Sequence, residues 1–104
     1  MTTEIEWTRR ARRDLLEIGD FIASDKPGAA STWVRRLIEA VERIALFPSF
    51  GRAVPEIDRT DIREVILENY RVVYLVGKGR ITVLTVFESH RLLSSHELNT
   101  ETSE

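Results

Sequence analysis

The residues of this chain best suited to reaction chemistry gather in its second half: Arg71, His90 and Arg91, with Arg63 and Glu56 as further candidates. An imidazole is the commonest proton-transfer group near neutral pH, and guanidinium groups stabilise the charge that builds up in a phosphoryl transition state. In-line cleavage of RNA by its own 2'-hydroxyl needs those parts. The same residues have a plainer fate, with Arg71 paired to Glu88 or Glu64 across neighbouring strands and His90 at a strand end. No metal-ligand spacing, phosphate-cradling glycine loop or nucleophile elbow accompanies them: the histidines are His90 and His96, and cysteine is absent. No cofactor and no metal are expected.

The stretch from Ile62 to Leu93 must position these groups. Three runs rich in β-branched and aromatic residues, Ile62 to Leu67, Tyr70 to Val76 and Arg80 to Phe87, are separated by Glu68-Asn69 and by Gly77-Lys78-Gly79. This pattern predicts an antiparallel meander, with the positive φ of the reversals taken by Asn69 and the glycines. A two-residue Lys78-Gly79 turn would put Arg71 on one face with Glu64, Val73, Leu84, Val86, Glu88 and His90; a three-residue turn would separate Arg71 from His90. Both registers are open from sequence.

Val72 to Val76 and Val83 to Phe87 are apolar on both faces, and such strands are normally covered on both sides. The chain offers one obvious cover. From Thr8, a plausible N-cap, to Ser24, apolar Ala11, Leu15, Ile18 and Ile22 recur on one side of a predicted helix, flanked by Leu16 and Phe21. A second stripe runs from Ala30 through Trp33, Val34, Leu37, Ile38, Val41 and Ile44 towards Phe47, with Pro27 suited to its first turn and Pro48 stopping it. The short connector makes the two helices an antiparallel hairpin. Trp33 and Phe47 are expected in the core, and Glu4 to Trp7 as a strand added to the meander. The other sheet face is expected to await a partner, met through Tyr70, Val72, Tyr74, Val83, Phe87 and Arg91.

Ser49 to Thr60 shows turn residues without periodicity and is expected to be a loop, with Arg52, Glu56 and Arg59 as candidate functional positions. The run Arg9-Arg10-Ala11-Arg12-Arg13 offers a local basic patch, but Asp14 and Glu17 follow it and a solvated helix face explains it as well. The chain's net charge of -2 gives no support for nucleic acid as the main ligand, since domains that rely on phosphate contacts carry a basic excess. With 104 residues, 42% of them hydrophobic, the sequence predicts one domain over 1-98 and a polar tail over 99-104. No secretory signal or membrane-spanning run is visible, which predicts a cytoplasmic protein with no membrane partner.

In order, the chain has a strand, a helix hairpin closed by Leu46-Phe47-Pro48, then Gly51-Arg52, Pro55-Glu56, Arg63-Glu64, Tyr70-Arg71-Val72-Val73-Tyr74, a tight turn, Ile81-Thr82-Val83-Leu84 and His90-Arg91. That ordered set resembles the RelE/ParE family of type II toxin-antitoxin toxins, from about Ile5 to Leu93, and is closer to its ParE branch. The resemblance implies an α+β fold of β-α-α-β-β-β order, with the N-terminal strand and helical hairpin packed on one face of a small antiparallel sheet. It also implies a cognate antitoxin that wraps the toxin, and a role in plasmid stabilisation.

The ParE branch implies inhibition of DNA gyrase by protein-protein binding, with no catalytic residue and no direct DNA binding by the toxin alone. The RelE branch implies instead a ribosome-dependent mRNA endonuclease using Arg71, His90 and Arg91. Here the loop lysines of RelE have no counterpart, because the chain's lysines are Lys26 and Lys78, and Arg91-Leu92 stands where a tyrosine follows the histidine. A non-toxic remnant that keeps antitoxin binding is the third alternative.

Overall fold

The computed structural model describes residues 3-93. The chain order is β1 (Glu4–Trp7), α1 (Arg9–Asp25), α2 (Pro27–Leu46), a 3-10 turn (Pro48–Phe50), β2 (Arg52–Ala53), β3 (Ile62–Leu67), β4 (Tyr70–Gly77) and β5 (Arg80–Glu88). The expected tail over 99-104, the domain end at 98 and His96 lie outside the described residues. An α+β fold results, with both helices on one face of a five-stranded sheet of order β1-β5-β4-β3-β2.

The sheet is mixed, the predicted antiparallel meander being extended by one parallel strand. The meander β3-β4-β5 is antiparallel as its turns predict, but β1 joins the outer edge of β5 in parallel, Ile5 opposite Ile81 and Trp7 opposite Val83. Thr8 makes that strand-to-helix corner: its backbone N-H donates to Val83 O, and its hydroxyl donates to Leu84 O at 2.8 Å while accepting from Ala11 N. One buried side chain therefore caps α1 and ties it to the sheet.

Both meander reversals are two-residue turns, with Leu67 opposite Tyr70 and Gly77 opposite Arg80. Gly79 takes φ +70, as a glycine does at little cost. At the other turn the positive φ falls on Glu68, not Asn69, and the Glu68 carboxylate pairs with Arg36 on α2. The helix layer buries Trp33, Leu37, Val41 and Ile44 against Val72, Tyr74, Ile81, Val83 and Val86. Trp33 is core, as its place in the stripe predicts. Phe47 is not: α2 ends at Leu46, and the 3-10 turn that follows leaves Phe47 65% exposed.

The expectation that the opposite face awaits a separate polypeptide is overturned. Val54 and Ile57 from the loop after β2, together with Leu93 beyond β5, close over Ile62, Val73, Leu84 and Phe87 as a second buried cluster. Both faces are sealed by the chain itself.

Tyr74 links the layers. Its buried hydroxyl donates to Pro48 O at 2.7 Å and accepts from Gly51 N at 2.8 Å, while Gly51 sits so close that a Cβ there would lie 2.6 Å from the same hydroxyl. Replacing Tyr74 with Phe should cost about 1 to 3 kcal/mol, because the Gly51 N-H is buried and would lose its partner. Urea unfolding measures this, and a loss below about 0.5 kcal/mol would contradict the role given to the hydroxyl.

Candidate functional site

Arg71 is the second residue of β4, the central strand of the meander, opposite Phe87 on β5 and Ile66 on β3. A bulge in the β4-β5 ladder after Val73 decides what it meets. The two-residue turn sets the parity that would align Arg71 with Val86, Glu88 and His90, and the extra residue on β5 reverses it from there on. Phe87 takes that place instead, with the Arg71 guanidinium carbon 4.9 Å from its ring centroid. Val86 turns to the helix layer.

The Arg71 guanidinium is almost fully committed. Nε donates to Glu64 Oε1, Nη1 and Nη2 donate to the two Glu56 oxygens, each at 2.7 Å, and Nη1 also donates to Arg91 O at 3.0 Å. Glu64 receives Arg52 as well, through Nε at 2.7 Å, and Glu56 accepts from Leu93 N at 3.0 Å. Arg71 and Glu64 are buried, and Glu56 is nearly so. Hydrogen bonding to Arg71 is the main cause that holds the Glu56 carboxyl down at about 2 against an ordinary 4.5, with burial opposing it. The same Glu56 contact raises the Arg71 pKa further above its already high range. A guanidinium neutralised in this way offers little to a phosphoryl group.

Of the three nuclease candidates, the structure does not bring Arg71 and His90 into one site. His90 is exposed beyond the end of β5, while Arg91 is exposed with its guanidinium carbon 5.4 Å from the Phe87 ring centroid. Of the predicted partner-binding residues, Val72, Tyr74 and Val83 are wholly buried under the helices, and Phe87 is closed under the second cluster. The strands that carry these four have a layer on each side. Tyr70 and Arg91 remain accessible and, with Phe87, line a cleft of about 310 Å3 shared with Asp14, Glu17 and Glu88. Burial first, then the Glu88 and Glu68 charges, raise the Tyr70 phenol above its usual value, so it stays protonated. Three carboxylates around that cleft disfavour an RNA backbone there.

Two features escape the sequence patterns. Asp14 Oδ2 accepts from Thr85 Oγ1 at 2.5 Å and from the Val86 N-H at 3.0 Å, which fastens α1 to the bulged stretch of β5. The second feature is an apolar groove of about 420 Å3 between β1 and the hairpin, lined by Ile5, Trp7, Leu15, Ile38 and Val41, with Arg12 and Glu42 at its rim. The alternation of Ile5 and Trp7 and the width of the α2 stripe are its only sequence signals. No group of three or more His, Cys, Asp or Glu side chains suited to a metal ion occurs among the described residues, and none of their helices is long and apolar enough to cross a membrane.

Residues 5-93 match the family described as the ParE toxin of the type II toxin-antitoxin system parDE. The chain belongs to the ParE toxin family. Among its relatives, Y4kP of Sinorhizobium fredii is 38% identical over 84% of this chain and 88% of its own length, and toxin RelE2 of Caulobacter vibrioides is 31% identical over 86% and 98%. In fold, this ParE-family toxin superposes on a chain of the chromosomal ParDE system of P. aeruginosa with TM-score 0.70 at 23% identity, covering 84% of this chain and 96% of that one. A free-state variant of E. coli toxin RelE gives 0.60 at 21% identity, with 86% and 85% covered. Both branches of the superfamily thus share its architecture.

The Glu56 contact gives the toxin an acid-sensitive clamp. A carboxyl lowered from 4.5 to about 2 on folding contributes on the order of 3 kcal/mol, present in full above about pH 4.5 and lost as pH falls to about 2. Glu56→Gln should therefore flatten the stability loss between about pH 5 and pH 3, as read by urea unfolding at each pH. Equal losses in parent and variant would show that the acid sensitivity arises elsewhere.

Proposed function

We propose that this toxin acts as a ParE-like poison of DNA gyrase, through protein-protein binding, and that a cognate antitoxin neutralises it. The observation that carries this reading is the commitment of Arg71. Its hydrogen bonds to Glu56 and Glu64 make it a strut inside the fold rather than a free cation facing substrate. The other candidates, His90 and Arg91, lie exposed at the end of β5, and Arg91 borders a cleft with three carboxylates. General acid-base cleavage of RNA needs convergent groups, and the commitment of Arg71 to Glu56 and Glu64 supports the gyrase reading over it.

The structural relatives from the ParDE system and from RelBE2, the latter a toxin-antitoxin complex from Mycobacterium tuberculosis with TM-score 0.55, 18% identity and 85% and 99% coverage, support an antitoxin partner. The groove between β1 and the hairpin is the place for it. Ile38, 43% exposed, and Leu15 present apolar surface there, while Arg12 and Glu42 offer charges of both signs at the rim. An amphipathic helix laid in such a groove would bury its apolar face without disturbing the sheet.

Toxin freed from its antitoxin should inhibit supercoiling by purified gyrase, and His90→Ala should inhibit it equally. Cleavage of ribosome-bound mRNA that His90→Ala abolishes, with gyrase unaffected, would replace this reading by the nuclease one. Ile38→Glu, on the groove and outside the buried core, should weaken the antitoxin complex by roughly tenfold or more in a titration, and unchanged affinity would move the antitoxin elsewhere.

A further inference from the structure

The end of α2 presents large apolar side chains where a packed domain would hide them. Leu46 is 74% exposed, Phe47 65% and Phe50 55%, all within five residues of sequence. Other exposed apolar residues, such as Leu92 and Ile66, are spread singly over the chain, and such residues need no explanation. A cluster does.

This cluster is held rigidly from beneath. The buried Tyr74 hydroxyl bonds Pro48 O and Gly51 N, Arg63 Nη1 donates to Gly51 O at 2.8 Å, and Phe50 N donates to Phe47 O at 2.8 Å. Two aromatic rings are thus presented on a fixed turn. Fixed aromatic groups lose little freedom on binding and dominate the energetics of protein interfaces, together with arginine.

A cation flanks the turn. Arg43, exposed, stands one helical turn before Phe47, whose N-H donates to Arg43 O, while Arg52, which follows Gly51, is paired with Glu64. Glu42, the nearest carboxylate in sequence, lines the groove toward β1 instead. We infer that the turn formed by Leu46, Phe47 and Phe50, with Arg43 beside it, is the surface with which this toxin grips its protein target, a segment that combines apolar side chains with a carboxylate. The inference rests on the toxin reading above but not on gyrase being the target. It assigns the target a surface separate from the antitoxin groove.

Growth arrest on induction without antitoxin tests it, with gyrase supercoiling run in parallel. The double variant Phe47→Ser, Phe50→Ser should raise survival by roughly tenfold or more, with thermal unfolding close to that of the parent. Phe47→Leu, Phe50→Leu should keep most of the arrest, and Arg43→Glu should lose part of it. Full arrest by the serine variant would overturn the proposal. So would loss of antitoxin binding with arrest unchanged, or loss of parent self-association on a sizing column with arrest unchanged, since these give the surface to the antitoxin or to a second copy. Should the serine variant unfold, Arg43→Glu decides: arrest equal to the parent's overturns the proposal. A parent that arrests growth without inhibiting gyrase, while the serine variant does not arrest, keeps this surface and removes the gyrase reading. A parent that causes no arrest removes both.

Discussion

The second layer of this fold depends on one buried ion-pair cluster. Desolvating charged groups costs several kcal/mol each, and the cost is offset only where every lone pair and proton finds a partner. Arg71 comes close to that condition, placing four of its five N-H groups on both carboxylate oxygens of Glu56, one of Glu64 and the carbonyl of Arg91. Glu56 completes the arrangement by accepting from the Leu93 backbone. The loop after β2 and the segment after β5 are thereby fastened to the same guanidinium, and Val54, Ile57 and Leu93 are carried onto the sheet. Apolar burial alone would not fix these segments, since neither has a periodic pattern that specifies a register.

The first layer is positioned by different means. Thr8 joins β1 to α1 and to β5 at once, and Asp14 reaches from the next turn of α1 to the backbone of Val86. A bulge leaves backbone groups that the ladder no longer pairs, and a buried N-H without a partner is costly. Asp14 supplies the acceptor at that point. The bulge in turn places Phe87 rather than Val86 beside Arg71, so the position of the helices and the surroundings of the cation are linked through one irregularity in β5.

What the sequence reveals follows from which forces leave a pattern. The meander is legible because the turns have chemical signatures and the strands are β-branched; the hairpin is legible because its stripes recur at helical spacing. The Glu64-Arg71 pair was also readable as a cross-strand contact. Glu56 as the bidentate partner was not, because it reaches Arg71 from a loop whose path has no periodicity. The bulge carries no glycine, so nothing between Val83 and Phe87 announces the reversal of parity that separates Arg71 from Glu88 and His90. Phe47 departs from its pattern for a simpler reason: its hydrophobicity continues the α2 stripe, while Pro48 and the Tyr74 contacts end the helix before it can turn inward.

Sealing of both sheet faces changes where the need for a partner resides. Strands that are apolar on both sides require cover, and here the chain provides it, so the composition of β4 and β5 no longer argues for a second polypeptide. The argument passes to surfaces that the folded chain leaves apolar. The groove beside β1 is lined by side chains that partly complete the helix layer, so an occupant there would extend an existing core. The turn after α2 is of another kind: its aromatic groups belong to neither buried cluster. Folding therefore accounts for the groove in part, and for the backbone of the turn but not for the exposure of its rings. A protein that acts by binding needs surface of the second kind, fixed in shape and free of duties in the core.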